Sequence, residues 1–402
     1  MAMKQDKLWT RDFTLSILAG FFASMVTSVL MTTMALYAMS RFGAGEGLAG
    51  FASSIAMIGS IFGRLFAGRQ SDRIGRRRLA LTASALNIVM CALYFLPVGI
   101  RPILVIRLVH GAMSGCVHNT MATAVIDFIP PARRTEGLAI YTLNFTLALA
   151  VGPPLCMYLA DRWPYTALFG ANCCFAVVSL SVLAAIRFVP SAFTEEQIAQ
   201  LSSRRGIKNI FEKAALPLSF TIIPLSMCYA SVSAFIETYA NQLDMVWAAS
   251  AFFTIYGLII IVSRPLAGRL ADRRGENYVM IPTMLINAAG IIALGMAGIL
   301  SGGAAAALFI SSSFMMALGF GTLLPIGQAV AVKRAEPQYF GRITASYWVF
   351  SDAGMGIGAF IFGLVASVSG LSGMFFIETA AAAAAIVVYW LLHGRYNRIG
   401  RP

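Results

Sequence analysis

Apolar runs long enough to cross a bilayer recur along the whole of this 402-residue chain, separated by short charged loops. A hydrocarbon core about 30 Å thick takes about 20 apolar residues of helix to span, and inside it every backbone polar group must be paired within its own segment. The runs at 12–39, 48–66, 79–98, 103–127, 137–159, 166–188, 216–239, 246–266, 278–300, 304–332, 342–367 and 374–392 therefore read as twelve transmembrane helices. With 58% hydrophobic and 12% charged residues, the chain lies far outside the range of soluble domains. Soluble enzymes, disordered chains and fibrous proteins are excluded, which leaves an all-α, polytopic membrane protein.

The net charge of +13 is a matter of topology. If the N-terminus is cytoplasmic, 26 of the 30 Lys and Arg residues fall on that side; Arg41, Arg101 and Arg162 lie in outer loops and Arg107 inside a span. This asymmetry follows the positive-inside rule, so both termini are expected in the cytoplasm and no nucleic-acid partner is expected. The lipid bilayer is the partner that the composition demands. All six cysteines (Cys91, Cys116, Cys156, Cys173, Cys174 and Cys228) fall in the spans with no C-x-x-C pair, and neither a metal site nor a cofactor is expected. The apolar stretch after the basic N-terminus is too long for a cleaved signal and reads as a retained first helix.

The chain is a tandem repeat. Arg64, Ala67, Gly68, Arg69, Asp72, Arg73 and Gly75 recur as Arg264, Ala267, Gly268, Arg269, Asp272, Arg273 and Gly275, all at an offset of 200 residues. The same offset relates Arg133-Arg134-Thr-Glu136 to Lys333-Arg334-Ala-Glu336. Six spans on each side of the longest polar segment give an N-terminal half (1–189), a cytoplasmic linker (190–215) and a C-terminal half (216–402). An even number of spans keeps both copies in one orientation, the parallel repeat of one class of secondary transporter. G-x-x-x-x-G-K-[ST] is absent, so the energy source is expected to be a gradient.

In the repeated loop the glycines permit a tight turn between helices. Asp72 suits the positive N-terminal end of a neighbouring helix, and Arg73, Arg76 and Arg77 suit a pairing with Asp127. Asp272→Asn is expected to do less than Asp72→Asn, because Glu276-Asn277 stands where the first copy has Arg76-Arg77. The stretch Gly68-x-x-x-Asp72-Arg73-x-Gly75-Arg76-Arg77 resembles the signature loop of the major facilitator superfamily, with a second copy at 268–275. The resemblance covers all twelve spans and implies two pseudo-symmetric six-helix halves, worked by alternating access. It also implies a conformational latch formed by Gly68, Asp72, Arg73, Gly75, Arg76, Arg77, Asp127, Gly268, Asp272, Arg273 and Gly275.

Further motifs resemble the drug- and sugar-efflux branch of that superfamily. Arg107-x-x-His110-Gly111-x-x-x-Gly115 resembles its R-x-x-Q-G-x-x-x-G, with histidine for glutamine. That arginine is linked to proton transfer in related antiporters; the plainer alternative is a snorkelling side chain near the outer boundary. His118 shares the face of Arg107. Gly152-Pro153 keeps the kink of the antiporter motif, but Cys156 and Met157 replace its terminal glycines. Asp352, about 15 Å into its span, opens a D-x-G-x-G-x-G stripe and is the leading proton-coupling residue, with Glu237 second. Its alternative role is a helix contact. Glu237 and Glu378 lie toward the outer boundary, and the family places the last span toward lipid. Ser28, Thr32, Asn119, Tyr229, Ser233 and Gln328 are candidates for a substrate cavity, although such residues also serve as packing in a membrane bundle.

The expected function is proton-coupled export of a small organic solute, such as a drug, a sugar or a secreted metabolite that chelates metals. Its partners are substrate and protons, it is not an enzyme, and a monomer in a bacterial inner membrane is expected. An uptake symporter of the same fold is the alternative. A non-transporting enzyme or receptor would need a catalytic motif or sensory domain that the sequence lacks.

Overall fold

The computed structural model describes residues 7–44, 46–96, 98–189, 211–333 and 335–396. Most of the proposed linker lies outside that set, as do the side chains of Thr32, Asp72 and Pro153. Among the described residues the structure is helical throughout. The helices are α1 (Arg11–Phe42), α2 (Glu46–Ile74), α3 (Arg76–Leu93), α4 (Ile100–Ala124), α5 (Arg134–Tyr141), α6 (Leu143–Arg162), α7 (Tyr165–Ala184), α8 (Leu216–Gln242), α9 (Val246–Arg274), α10 (Asn277–Ala297), α11 (Gly302–Met316), α12 (Thr322–Lys333) and α13 (Phe340–Leu392). Each of the twelve expected spans lies on one or two of them.

Helix limits follow local chemistry. α1 opens at Thr10, whose hydroxyl accepts from Phe13 N at 3.3 Å, and closes at Gly43 in the left-handed conformation. At about 1.5 Å per residue its 32 residues exceed the thickness of the hydrocarbon core. Apolar side chains turned outward, among them Val368 at 90% exposure and Phe360 at 69%, suit a surface meeting lipid tails.

Three spans depart from the simple reading. The fifth is interrupted at Thr142, where Asn144 Nδ2 donates to the Tyr141 carbonyl at 2.6 Å. The tenth passes through a π-helical stretch, Ala317–Gly321, between α11 and α12. Pro325 has no N–H to offer the carbonyl four residues back, that of Gly321. Arg264 Nε takes that carbonyl at 2.7 Å, and Asn287 Oδ1 accepts from Phe320 N at 3.2 Å. A side chain that the repeat marks as part of a loop motif thus completes the backbone bonding of another helix. The last two spans form one helical run broken at Gly370, where φ is 71°.

The chain divides into two units. The first comprises 1–130, 141–212 and 336–345, and the second 131–140, 213–335 and 346–402. Most of the first unit precedes residue 213 and most of the second follows it, and each also contains a short segment from beyond that point. Within the first unit, α2 and α4 meet backbone to backbone. Gly59 and Gly63 face Leu108 and Ala112, while Gly111 and Gly115 face Ala56 and Ser60, so closely that a Cβ at any of the four would overlap a carbonyl. Two small-xxx-small stripes are interlocked, the close packing that membrane helices use without a hydrophobic drive between them. Val26, Leu30, Cys91, Tyr94, Ile103 and Phe169 form an adjoining core.

Candidate functional site

The two copies of the repeated loop turn at a glycine of the same φ, with Gly75 and Gly275 both at 93°. Only glycine takes that conformation without strain, and it turns α2 into α3 and α9 into α10. Their side-chain surroundings differ. In the first unit Arg76 is buried at the start of α3 and its Nη1 donates to the Asp127 carboxylate, while Arg73 and Arg77 are exposed. Gly68 lies against Gly341 and Ala345, in the segment that this unit takes from the other half.

The second copy carries an ionic network around α5. Asp272 accepts from Thr135 N at 3.3 Å and Glu136 N at 3.0 Å, in the first turn of α5, and pairs with Lys333 at 2.8 Å. A carboxylate on the free amides of a helix start satisfies donors that have no partner within the helix, and it meets the positive end of the dipole. Glu136, 2% exposed, receives Arg133 Nε at 2.7 Å and Nη2 at 2.8 Å, and Arg269 Nε at 2.5 Å. Burial pushes its carboxyl up, but the two guanidiniums outweigh burial and hold it below the usual carboxylate range. Arg133 is pushed up in turn, first by its bond to Glu136. Gly268 lies directly over the Glu136 backbone, and Arg273 is exposed. The helix-end role expected of Asp72 is thus seen at Asp272.

Arg107 is 2% exposed and does not snorkel: its Nε donates to the Ala52 carbonyl at 3.1 Å. Its guanidinium also bonds Tyr94, whose hydroxyl lies 3.0 Å from His110 Nδ1, and His110 Nε2 is 3.9 Å from Cys91 Sγ. With Tyr94 donating to His110 Nδ1, the histidine proton lies on Nε2, facing Cys91 Sγ. A second polar chain joins α4 to α1 and α6. His118 Nε2 lies 3.3 Å from Ser24 Oγ, and Ser24 donates to Asn144 Oδ1 at 3.1 Å. Gly152 permits the nearby approach of α6 to Ser28.

The remaining candidates are dispersed. Asn119 and Gln328 are fully buried; Asn119 Nδ2 donates to the Gly341 carbonyl at 3.4 Å, and Gln328 Oε1 accepts from Trp348 Nε1 at 3.1 Å. Tyr229 stacks on Phe320 with ring centroids 4.7 Å apart, and Tyr256 adjoins it at 5.8 Å. Ser233 and Glu237 are exposed. Asp352 is half-buried on α13, and the stripe it opens packs on α8: Gly354 against Ile223 and Ser226, Gly358 against Met227. Ser351 and Ser226 hydroxyls meet at 3.0 Å beside it.

Sequence reasoning missed Arg264, because a proline sixty-one residues on creates its acceptor. It also misplaced Glu378. That residue is 0% exposed and packed on α8, against the lipid-facing position expected of the last span. The signal was a lone acid in an alanine-rich run with no basic residue to draw it to an interface.

Comparison with known proteins supplies the lineage. The family profile described as Major Facilitator Superfamily matches residues 16–351 and, in a second match, 249–401. Multidrug resistance protein MdtG of Dickeya zeae is 24% identical over 402 residues, covering 97% of this chain and 96% of that protein. MdtG of Klebsiella pneumoniae is 26% identical over 391 residues, covering 92% and 90%. Among solved structures, the human organic anion transporter MFSD10 matches with a TM-score of 0.70 at 16% identity, covering 94% of this chain and 99% of that one. The proton:xylose symporter XylE matches with a TM-score of 0.71 at 15% identity, covering 94% of each chain. These structures share the fold, and the profile spans nearly the whole sequence. The chain is a multi-pass membrane transporter for small molecules and belongs to the major facilitator superfamily.

Proposed function

We propose that the chain is a proton-coupled efflux antiporter that exports a small organic solute by alternating access. The observation that carries this reading is the end-to-end match to relatives named as multidrug resistance proteins. A half-buried carboxyl inside a span, Asp352, is consistent with it. Proton entry neutralises Asp352, with Glu237 as the second carboxyl, and this favours release of substrate. Arg107 and His110 tune the proton path in the N-terminal half (1–189), and Gly152-Pro153 supplies the kink. Ser28, Thr32, Asn119, Tyr229, Ser233 and Gln328 contribute to the solute site, and the aromatic stack at Tyr229 suits flat, apolar solutes.

The repeated loops act as the latch, with Asp272 and Glu136 at its centre and with Asp127 and Arg76 in the other copy. The two six-helix halves flank a linker at 190–215. The chain works as a monomer in a bacterial inner membrane, with both termini in the cytoplasm. A second reading, uptake by symport, is favoured by one feature: Cys156 and Met157 stand where antiporters of this family have glycines.

Proteoliposomes with an internal pH dye and ethidium as probe separate the two. Proton movement opposite to ethidium supports antiport, and movement in the same direction overturns it.

A further inference from the structure

Glu378 lies on the segment of α13 that follows Gly370, facing α8, and the transport reading above makes no use of it. Its Oε1 contacts Ser231 Oγ, and Ser231 Oγ lies 2.8 Å from the Cys228 carbonyl oxygen. The Cys228 thiol donates to the Glu378 backbone carbonyl at 3.6 Å. Oε2 is buried with no hydrogen-bond partner, and among the described residues no cation pairs with the carboxyl.

These contacts favour a proton on the carboxyl. A serine hydroxyl has one proton, and a carbonyl oxygen can only accept. Ser231 has one proton for two oxygens and can serve only one of them, whereas a protonated carboxyl that donates to Ser231 Oγ satisfies both contacts at once. An ionised carboxylate there would keep Oε2 buried without a donor and, among the described residues, without a cation beside it, an arrangement that apolar surroundings do not tolerate. The other groups near it do not change this. α10 approaches through Gly295 against Phe376, and residues 291–300 contain no titratable side chain. On its own helix the next titratable group, Tyr389, is turned to Asn277.

We propose that Glu378 is a proton-binding site: protonated, it bonds the last helical segment to α8, and loss of its proton to water loosens that contact. The proton passes from the Glu378 carboxyl to a water molecule, leaving a carboxylate that is stable only where water has entered between the two helices. Proton binding is thereby tied to helix packing, since ionisation removes the donor that the carboxyl offers to Ser231 Oγ and leaves a buried charge. The site adds to the proton-coupled reading above and serves its cycle, but its protonation is testable without transport.

Dicyclohexylcarbodiimide is an apolar reagent that adds to protonated carboxylic acids and not to carboxylates. Treatment of the purified full-length protein, followed by peptide mass spectrometry, is expected to place the adduct on Glu378. Labelling should fall several-fold from mildly acidic to alkaline pH, and the infrared band of a protonated carboxyl, absent in Glu378→Gln, should fall with it. An unlabelled Glu378 at every pH, or labelling and band that ignore pH, overturns the proposal. In proteoliposomes with ethidium as probe, Glu378→Gln should release several-fold fewer protons per dye moved than wild type; equal release also overturns it. Wild type that moves ethidium without protons removes the coupled-export reading, whereas pH-dependent labelling in that same protein still supports the proton site.

Discussion

Asp272→Asn is the perturbation whose consequence is most directly worked from geometry. The aspartate uses both carboxylate oxygens on the first turn of α5, at 3.3 and 3.0 Å, and pairs with Lys333 at 2.8 Å. Asparagine keeps one acceptor. It loses one capping bond, about 1 kcal/mol, and the charge that met both the dipole and Lys333, about 1 kcal/mol more. Lys333 is partly exposed and screened, so its share is kept at the low end. A total near 2 kcal/mol raises the open population of that turn about 30-fold. Hydrogen exchange of the Thr135 and Glu136 amides, read by mass spectrometry on the purified protein, should speed up by that factor while exchange in α1 is unchanged. Unchanged exchange at 135–136 in a folded variant refutes the capping argument.

The same network has a pH signature, since the Glu136 carboxyl lies below its ordinary value. Its contribution is fully present above the unfolded value of about 4.3 and is lost only as pH falls through the folded one, so the protection of amides 135–140, taken against their intrinsic rates at each pH, should hold above the unfolded value and fall only below it. Gly111→Ala should destabilise the first unit by about 1–3 kcal/mol or more, because its Cβ meets the Ala56 carbonyl, and thermal unfolding in detergent reads the loss. Arg264→Leu leaves the Gly321 carbonyl unmet, at a cost of about 1–3 kcal/mol, and Pro325→Ala should restore part of it by returning an N–H; melting temperatures that simply add would contradict this account. Asp352→Asn should abolish pH-driven movement of ethidium in proteoliposomes, and retained movement at equal protein level would reduce Asp352 to a helix contact.

Much of this was legible in the chain because the bilayer imposes a simple rule. Length and hydropathy placed all twelve spans, and the 200-residue repeat marked the two turns at Gly75 and Gly275. Non-local pairing was not legible. The segment 131–140 reads as the approach to a helix of the first half, yet its amides and Glu136 are bonded to Asp272 and Arg269 of the second unit. Nothing local in the second copy distinguishes the partners that Asp272 finds in the first turn of α5. Glu378 was hidden by the same limit, since a period of 3.6 residues gives a helix its faces without saying what covers them.

The repeat shows where two copies of one sequence are constrained and where they are free to differ. Gly75 and Gly275 share φ to the degree, because the turn they make tolerates no Cβ in that conformation. The arginines around them are under no such limit. In the first copy the next residue, Arg76, is buried on Asp127; in the second, Glu276 occupies that place and meets His393 at 3.0 Å. Charge beside the turn therefore differs in sign between the copies while the glycine and its positive φ are shared. Arg64 and Arg264 occupy equivalent positions, and Arg264 serves a carbonyl that the first half has no proline to expose, since Thr123-Ala124-Val125 stands where the second half has Leu323-Leu324-Pro325. A duplicated fold of this kind retains what its turns require and lets each half find its own use for the charges beside them. Function in such a chain has to be argued from the partners of each side chain, and a motif shared by both halves identifies the turn alone.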